Sequence, residues 1–246
     1  AFVATGFAVA GIHAYQIYKG RNKPLHKKAF HIAISFAAVA AILQPISGDL
    51  SAKDIAERQP AKLAALEAHY ETKKGVPLYI GGIVDEEKRE VNYKIEIPNA
   101  LSFLAFGDFD AEVKGLNDFP IEDQPPVAIV HYAFQIMVGI GTLLALAGLL
   151  YFLSAKWKHW RVKKRFWLFF TLLTPLGFIA LEAGWIVTEV GRQPWIIHNV
   201  MRTKDAVTPM PGIFYSLITY SFIYVLLTFV VSWLMIRQIN ALNNEE

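Results

Sequence analysis

Residues 184–195 read GWIVTEVGRQPW. The stretch closes a long apolar run with a carboxylate, Glu189, and then supplies Gly191, Arg192 and Pro194. An ionisable side chain in a hydrophobic span is costly, about 3 kcal/mol at the bilayer centre and less toward an edge. Glu189 therefore requires a partner: an ion pair, a proton path or a metal. Pro194 lacks a backbone N–H and cannot continue an ordinary helix, and Trp195 suits the membrane–water interface. Glu182, Trp185 and Glu189 are spaced i, i+3, i+7 and share one helical face, predicted to point into a bundle. Arg192 is placed to pair with Glu189 or with another anion. A Glu189–Arg192 ion pair that merely ends the helix is the plainer reading of the same spacing.

Working outward, the 246 residues are 54% hydrophobic, too apolar for an ordinary soluble domain. There are no cysteines, which excludes disulfides, thiolate metal sites and cysteine nucleophiles. Five apolar segments stand out: residues 2–18, 29–46, 127–153, 167–190 and 213–236. A span needs about 20 apolar residues; the last three qualify easily and the second is near the lower limit. The first begins inside an apolar run with no initiator methionine, and is read as truncated. The predicted fold is an all-α integral membrane bundle of about five transmembrane helices with one long loop. Its parts are residues 1–47 (two spans), 48–124 (the loop) and 125–246 (three spans and a short tail).

Two connections carry only positive charge. One holds Lys19, Arg21, Lys23, Lys27 and Lys28; the other holds Lys156, Lys158, Arg161, Lys163, Lys164 and Arg165. Short basic loops stay in the cytoplasm, so residues 48–124 are expected outside and the C-terminus inside. The long loop is acidic, with sixteen Asp and Glu against nine Lys and Arg. A loop of this length between spans is uncommon and usually functional. Residues 52–72 read as an amphipathic helix with Ala56, Leu63, Leu66 and Tyr70 near one face. Lys62, Glu67 and Glu71 fall elsewhere, where a solvated face is the ordinary fate of such charges. Residues 76–84 and 91–97 read as β-like runs.

Met137 lies inside the third span. A thioether there is usually core filler, and it is also an axial ligand type for low-spin haem iron. His131 precedes it by six residues and does not share its face, so the pair is not expected to ligate one iron. His13 and His31 read as interfacial. Phosphate loops, HExxH and CxxC motifs and nucleophile elbows are absent from the sequence. Nucleic-acid binding is not expected, because topology accounts for the basic clusters.

These residues carry a resemblance. GWIVTEVGRQPW resembles the signature near the end of subunit I of bacterial cytochrome bd-type quinol oxidases. AKLAALEAHYET, residues 61–72, resembles that subunit's quinol-binding loop in its short form. FQIM, residues 134–137, resembles its low-spin haem methionine motif. The resemblance implies the C-terminal part of a nine-helix subunit in the bacterial plasma membrane, matching the end of the fifth helix through the ninth. It also implies a low-spin haem b, a high-spin haem b and haem d, with oxidation of membrane quinol on the outer face. O2 is then reduced to water, building a proton gradient.

On that resemblance Met137 is an axial ligand of the low-spin haem, and Glu189 is the carboxylate ligand of a high-spin haem. Lys62 and Glu67 serve quinol oxidation, while Glu182, Trp185 and Arg192 line the haem sites. Upstream helices of the same subunit, a second large subunit and small single-helix subunits are the implied partners, and this portion alone is expected to be inactive. Gln135 departs from the pattern, since some relatives carry arginine there. An alternative of another class is a proton-coupled carrier or channel using Glu182 and Glu189.

Overall fold

The computed structural model describes residues 1–21, 24–154 and 163–244. Lys23, the part of the second basic connection from Lys156 to Arg161, and the last two residues of the tail lie outside the described residues. The chain divides into two units, Ala1–Asp205 and Ala206–Glu246. The second contains one long helix, Ile213–Asn244.

In the first unit, α1 (Phe2–Tyr18), α2 (Pro24–Arg58), α5 (Val127–Leu153), α6 (Lys164–Leu172) and α7 (Leu176–Glu189) form the bundle. Four helical stretches are long and apolar enough to cross a membrane: Pro24–Arg58, Ile121–Leu153, Lys164–Glu189 and Ile213–Ala241. The architecture is that of a helical membrane protein, as the apolar segments predict; α1, at 17 residues, is the shortest of the five expected segments. Lipid offers no hydrophobic drive between helices, so close packing of small residues has to hold them. Accordingly Ala10, Ala14, Ala37, Ala41 and Ala147 are buried beside Phe7, Phe30, Leu144 and Phe170. At Gly177 a Cβ would stand 2.6 Å from the Ala4 Cα, so α7 and α1 touch backbone to backbone.

Two segment boundaries differ from expectation. The fourth span is two helices rather than one, because Pro175 cannot donate to the ladder and Thr174 Oγ1 donates to the Thr171 carbonyl instead. The expected amphipathic helix over 52–72 is also two pieces. α2 runs on to Arg58, the backbone breaks at Gln59, and α3 (Pro60–Leu66) starts with Pro60 in its first turn, where its missing N–H costs nothing.

The loop carries α3, α4 (Ala100–Phe106) and three small antiparallel pairs. β1 (Lys73–Lys74) pairs with β6 (Glu112–Val113), β2 (Leu78–Ile80) with β5 (Ile95–Ile97), and β3 (Ile83–Asp85) with β4 (Glu90–Asn92). Each expected β-run is thus two short strands of one hairpin. Gly81, Gly82 and Tyr93 interrupt it with positive φ. Where the loop closes on itself, Gly115 lies against the Tyr70–Glu71 backbone. A Cβ there would stand 2.4 Å from the Tyr70 carbonyl oxygen. Gly115→Ala is expected to cost about 1–3 kcal/mol by overpacking, seen as faster limited proteolysis of the loop; an unchanged rate would show that the contact yields.

Candidate functional site

α5 and α7 pack side by side and bring the FQIM and GWIVTEVGRQPW stretches together. A Cβ on Gly184 would lie 3.0 Å from Met137 Sδ, so the glycine lets the thioether rest against α7. Met137 and Gly184 also line a cavity of about 440 Å³ whose walls include Ala4, Ala41, Gly141 and Gly177. That volume falls in the roughly 300–1,000 Å³ range of small-molecule and cofactor sites. The wall is apolar and built largely of small residues, with the Met137 side chain part of it.

About one and a half turns beyond Gly184, α7 ends at Glu189. Arg192 Nη2 donates a short hydrogen bond to Glu189 Oε2, and Gln193 Nε2 donates to the Glu189 carbonyl at 3.3 Å. The Arg192 Nε is buried with no hydrogen-bond partner among the described residues. A Cβ on Gly191 would stand 2.3 Å from the Val187 carbonyl oxygen, 3.2 Å from Lys62 Cε and 3.4 Å from Val130 Cγ1. Gly191 is therefore the point where α3, α5 and α7 converge.

Lys62 is buried there rather than solvated, a correction to the amphipathic reading. Its Nζ lies 3.5 Å from the Thr188 carbonyl. Burial pushes the ammonium below its ordinary pKa, the Arg192 cation adds to that, and Glu189 opposes it. Glu67 is also buried, but inside the loop, and no hydrogen bond or ion pair joins it to Lys62 among the described residues. Burial raises its carboxyl to about 8, so near neutral pH it holds its proton.

Glu182 and Trp185 also depart from expectation. The inward face of α7 carries Ala183 and Val187, while Trp185 is 60% exposed and Glu182 is exposed. Glu182 and Trp185 point away from the other helices of the Ala1–Asp205 unit. The two carboxylates line no common interior path among the described residues.

Sequence reasoning missed the companions of Glu67. Among the described residues, Glu67 Oε2, His69 Nε2, Tyr70 Oη and His131 Nε2 are buried with no hydrogen-bond partner. His131 Nδ1 is 2.8 Å from the Leu66 carbonyl; a carbonyl only accepts, so Nδ1 carries the proton and Nε2 presents a lone pair. Burial and the Lys73 cation lower His69 to about 4. Burial, aided by Glu86, raises Tyr70 to about 12. Hydropathy could not reveal this cluster, because HYET reads as a polar helix end. Gln135 also has a role that its spacing hides: its Nε2 donates to the Tyr79 carbonyl at 2.9 Å and its Oε1 accepts the Gly81 N–H at 3.2 Å.

The family model for cytochrome bd terminal oxidase subunit I matches residues 1–242. The chain belongs to that family. It is similar to a putative cytochrome bd menaquinol oxidase subunit I of Bacillus subtilis (strain 168), 38% identical over 92% of this chain and 52% of that protein. A cytochrome bd ubiquinol oxidase subunit 1 of the same organism is 31% identical over 96% of this chain and 54% of that protein. The structure of bd oxidase from Geobacillus thermodenitrificans matches with a TM-score of 0.84 at 38% identity, over 96% of this chain and 54% of that one. The chain spans about half the length of the curated relatives it matches.

Glu67 gives the loop a distinct pH signature. Its carboxyl shifts from an ordinary 4.5 to about 8, so between those values the folded loop holds a proton that the unfolded chain has lost. Stability then falls as pH rises through that window. His69 has the opposite sign, losing stability as pH falls from 6.5 toward 4, and is neutral in both states above 6.5. Protection of the loop from protease is therefore expected to drop between pH 6.5 and 8, and Glu67→Gln is expected to flatten the drop; an equal slope in the variant would discard the buried-acid assignment.

Proposed function

We propose that this chain is part of the haem-bearing subunit of a bd-type respiratory terminal oxidase. On this reading the assembled enzyme oxidises membrane quinol and reduces O2 to water. Quinol is oxidised on the outer face, with residues 48–124 outside and the C-terminus in the cytoplasm of a bacterial cell, and protons are taken up from inside. The observation that carries it is the meeting of Met137 and Gly184 at the apolar cavity, with Glu189, Arg192 and Lys62 gathered at the end of the same helix pair.

Haem, when bound, supplies the one-electron and oxygen chemistry. The residues present fit it. Met137 would hold the low-spin haem b iron through sulfur. Glu189 would supply the carboxylate ligand at a high-spin haem (b or d), with Arg192 fixing one of its oxygens. The orphaned Arg192 Nε–H suits an acidic group such as a haem propionate, and Trp185 and Glu182 lie on the face that would border that site. Exposure of this face on the chain is consistent with upstream helices of the subunit, a second large subunit and small single-helix subunits completing it. Within the loop, Glu67 is a neutral buried acid able to donate to, and exchange a proton with, a quinol oxygen, while Lys62 places a buried cation between the loop and Glu189. Desolvation of these groups is what makes each bond strong.

In the assembled oxidase, Met137→Leu is expected to remove the low-spin haem band from the reduced-minus-oxidised spectrum and leave the high-spin bands; an unchanged spectrum rejects the ligand assignment. Glu189→Ala is expected to remove high-spin signals. Full haem content with normal oxygen uptake would instead leave Glu189 and Arg192 as a helix-ending ion pair. Lys62→Ala and Glu67→Ala are expected to lower quinol turnover at least tenfold with the haem spectrum intact, and normal turnover in both would remove the loop from the reaction.

A further inference from the structure

The hairpin of residues 78–97 is bonded to α5 at graded heights. Near its charged turn, Glu86 Oε1 accepts the Ala128 N–H at 3.0 Å. Midway, the Val84 N–H donates to Tyr132 Oη at 3.0 Å. At its base, Gln135 holds Tyr79 and Gly81. From Ala128 to Gln135 the helix rises about 10 Å. Beyond Gln135, residues 136–153 rise about 27 Å, close to the roughly 30 Å of a hydrocarbon core. Val127–Leu153 as a whole, at 27 residues, is longer than the core needs. Its first two turns therefore stand above the hydrocarbon, and the boundary falls at Gln135, level with the hairpin base.

The side chains of the hairpin follow the same gradient. The turn reads DEEKRE over residues 85–90. At the base, Leu78 pairs with Ile97 and Ile80 with Ile95, so the four share one face. Ile80, Ile95 and Ile97 are 47%, 66% and 41% exposed, and the neighbouring Tyr93 is 90% exposed. A strand facing water on one side alternates apolar inward with polar outward; here Leu78 packs on the loop's core, and Ile80, Ile95 and Ile97 leave the outer part of the face apolar. The charges at this height, Lys94 and Glu96, pair with each other at 3.3 Å. Lys94 Nζ lies 3.9 Å over the ring of Tyr79, whose side chain is on the opposite, buried face.

We propose that this apolar hairpin face is an interfacial membrane anchor that rests in the headgroup–acyl boundary of the lipid bilayer. Lipid is the occupant because the apolar face is at the height where α5 enters the hydrocarbon, while the charged turn stands about 10 Å farther out. Tyrosine and isoleucine beside a lysine are the composition of an interfacial contact. The anchor fixes the loop's base to the membrane surface, so a lipid-borne molecule reaches the loop from the side and not through water. The proposal depends on the spans alone and stands or falls independently of the quinol reading.

The chain contains no cysteine, so Ile80→Cys, Ile95→Cys and Lys88→Cys can each carry a bimane label. The label is read in the assembled oxidase in phosphatidylcholine vesicles, with the unmodified complex as background and the haem spectrum as a check of integrity. Acyl-brominated phosphatidylcholine is expected to quench the label at 80 and 95 at least twofold more than at 88, and aqueous iodide to show the reverse order. Equal lipid quenching at all three positions overturns the anchor. Shielding of 80 and 95 from both quenchers also overturns it, and assigns the face to a protein surface.

Discussion

The structure hangs on the seating of a short loop helix against the ends of two spans. α3 brings Lys62 onto Gly191 and delivers the Leu66 carbonyl to His131. Neither bond is optional in energetic terms. A lysine that is 8% exposed has lost most of its hydration and is tolerated only beside acceptors and an anion. A fully buried imidazole must likewise place its N–H on a carbonyl. The absence of a side chain at Gly191 is what permits the Lys62 approach. If α3 were lifted, α7 would lose the cation at its C-terminal carbonyls, where positive charge is favoured, and the loop would lose its register on α5.

That seating explains why the two conspicuous loop charges behave differently. Lys62 and Glu67 are five residues apart, and α3 ends between them; the backbone then turns through Ala68 at positive φ. Lys62 faces the spans, where burial and Arg192 push its ammonium below the ordinary pKa and Glu189 opposes them. Glu67 is buried in the loop with no cation paired to it among the described residues, and burial raises its carboxyl to about 8. One is an electrostatic tie between loop and bundle, the other a protonatable group in an apolar wall. A mechanism that treats them as one pair would misassign both.

The spans and their order are legible in the sequence because apolar length is set by bilayer thickness, whatever the packing. The break at Pro175 and the start at Pro60 follow from a missing N–H, which neither the apolar run over 167–190 nor the helical periodicity over 52–72 registers. The burial of Lys62 and Glu67 is not legible, since helical periodicity assumes water on one side of α3 and the structure puts protein on both. Gln135 shows the same limit. Alone it is a polar residue near a ligand motif; in the fold its amide replaces a strand partner for Tyr79 and Gly81. The outward placement of Glu182 and Trp185 depends on which face α5 covers, a long-range choice that spacing within α7 does not encode.

The GRQPW turn is readable in hindsight as a set of local demands that leave little freedom. Glu189 needs Arg192 because it ends an apolar run. Gly191 must be bare because backbone, Lys62 and Val130 occupy the space of a Cβ. Gln193 Oε1 accepts from Thr203 Oγ1 at 2.6 Å, closing the excursion that β7 (Trp195–Ile197) and β8 (Met201–Arg202) form. The Trp195 ring lies 5.0 Å from the Arg202 guanidinium, which also donates to Asp123 at 2.6 Å. The motif is thus tied at one end to α3 and at the other to the last turn of the long loop. A substitution at Arg202 or Asp123 would reach Glu189 through the neighbouring Thr203–Gln193 bond and the Gln193 bond to the Glu189 carbonyl. The carboxylate at the end of the span is therefore positioned by the loop as much as by its own helix.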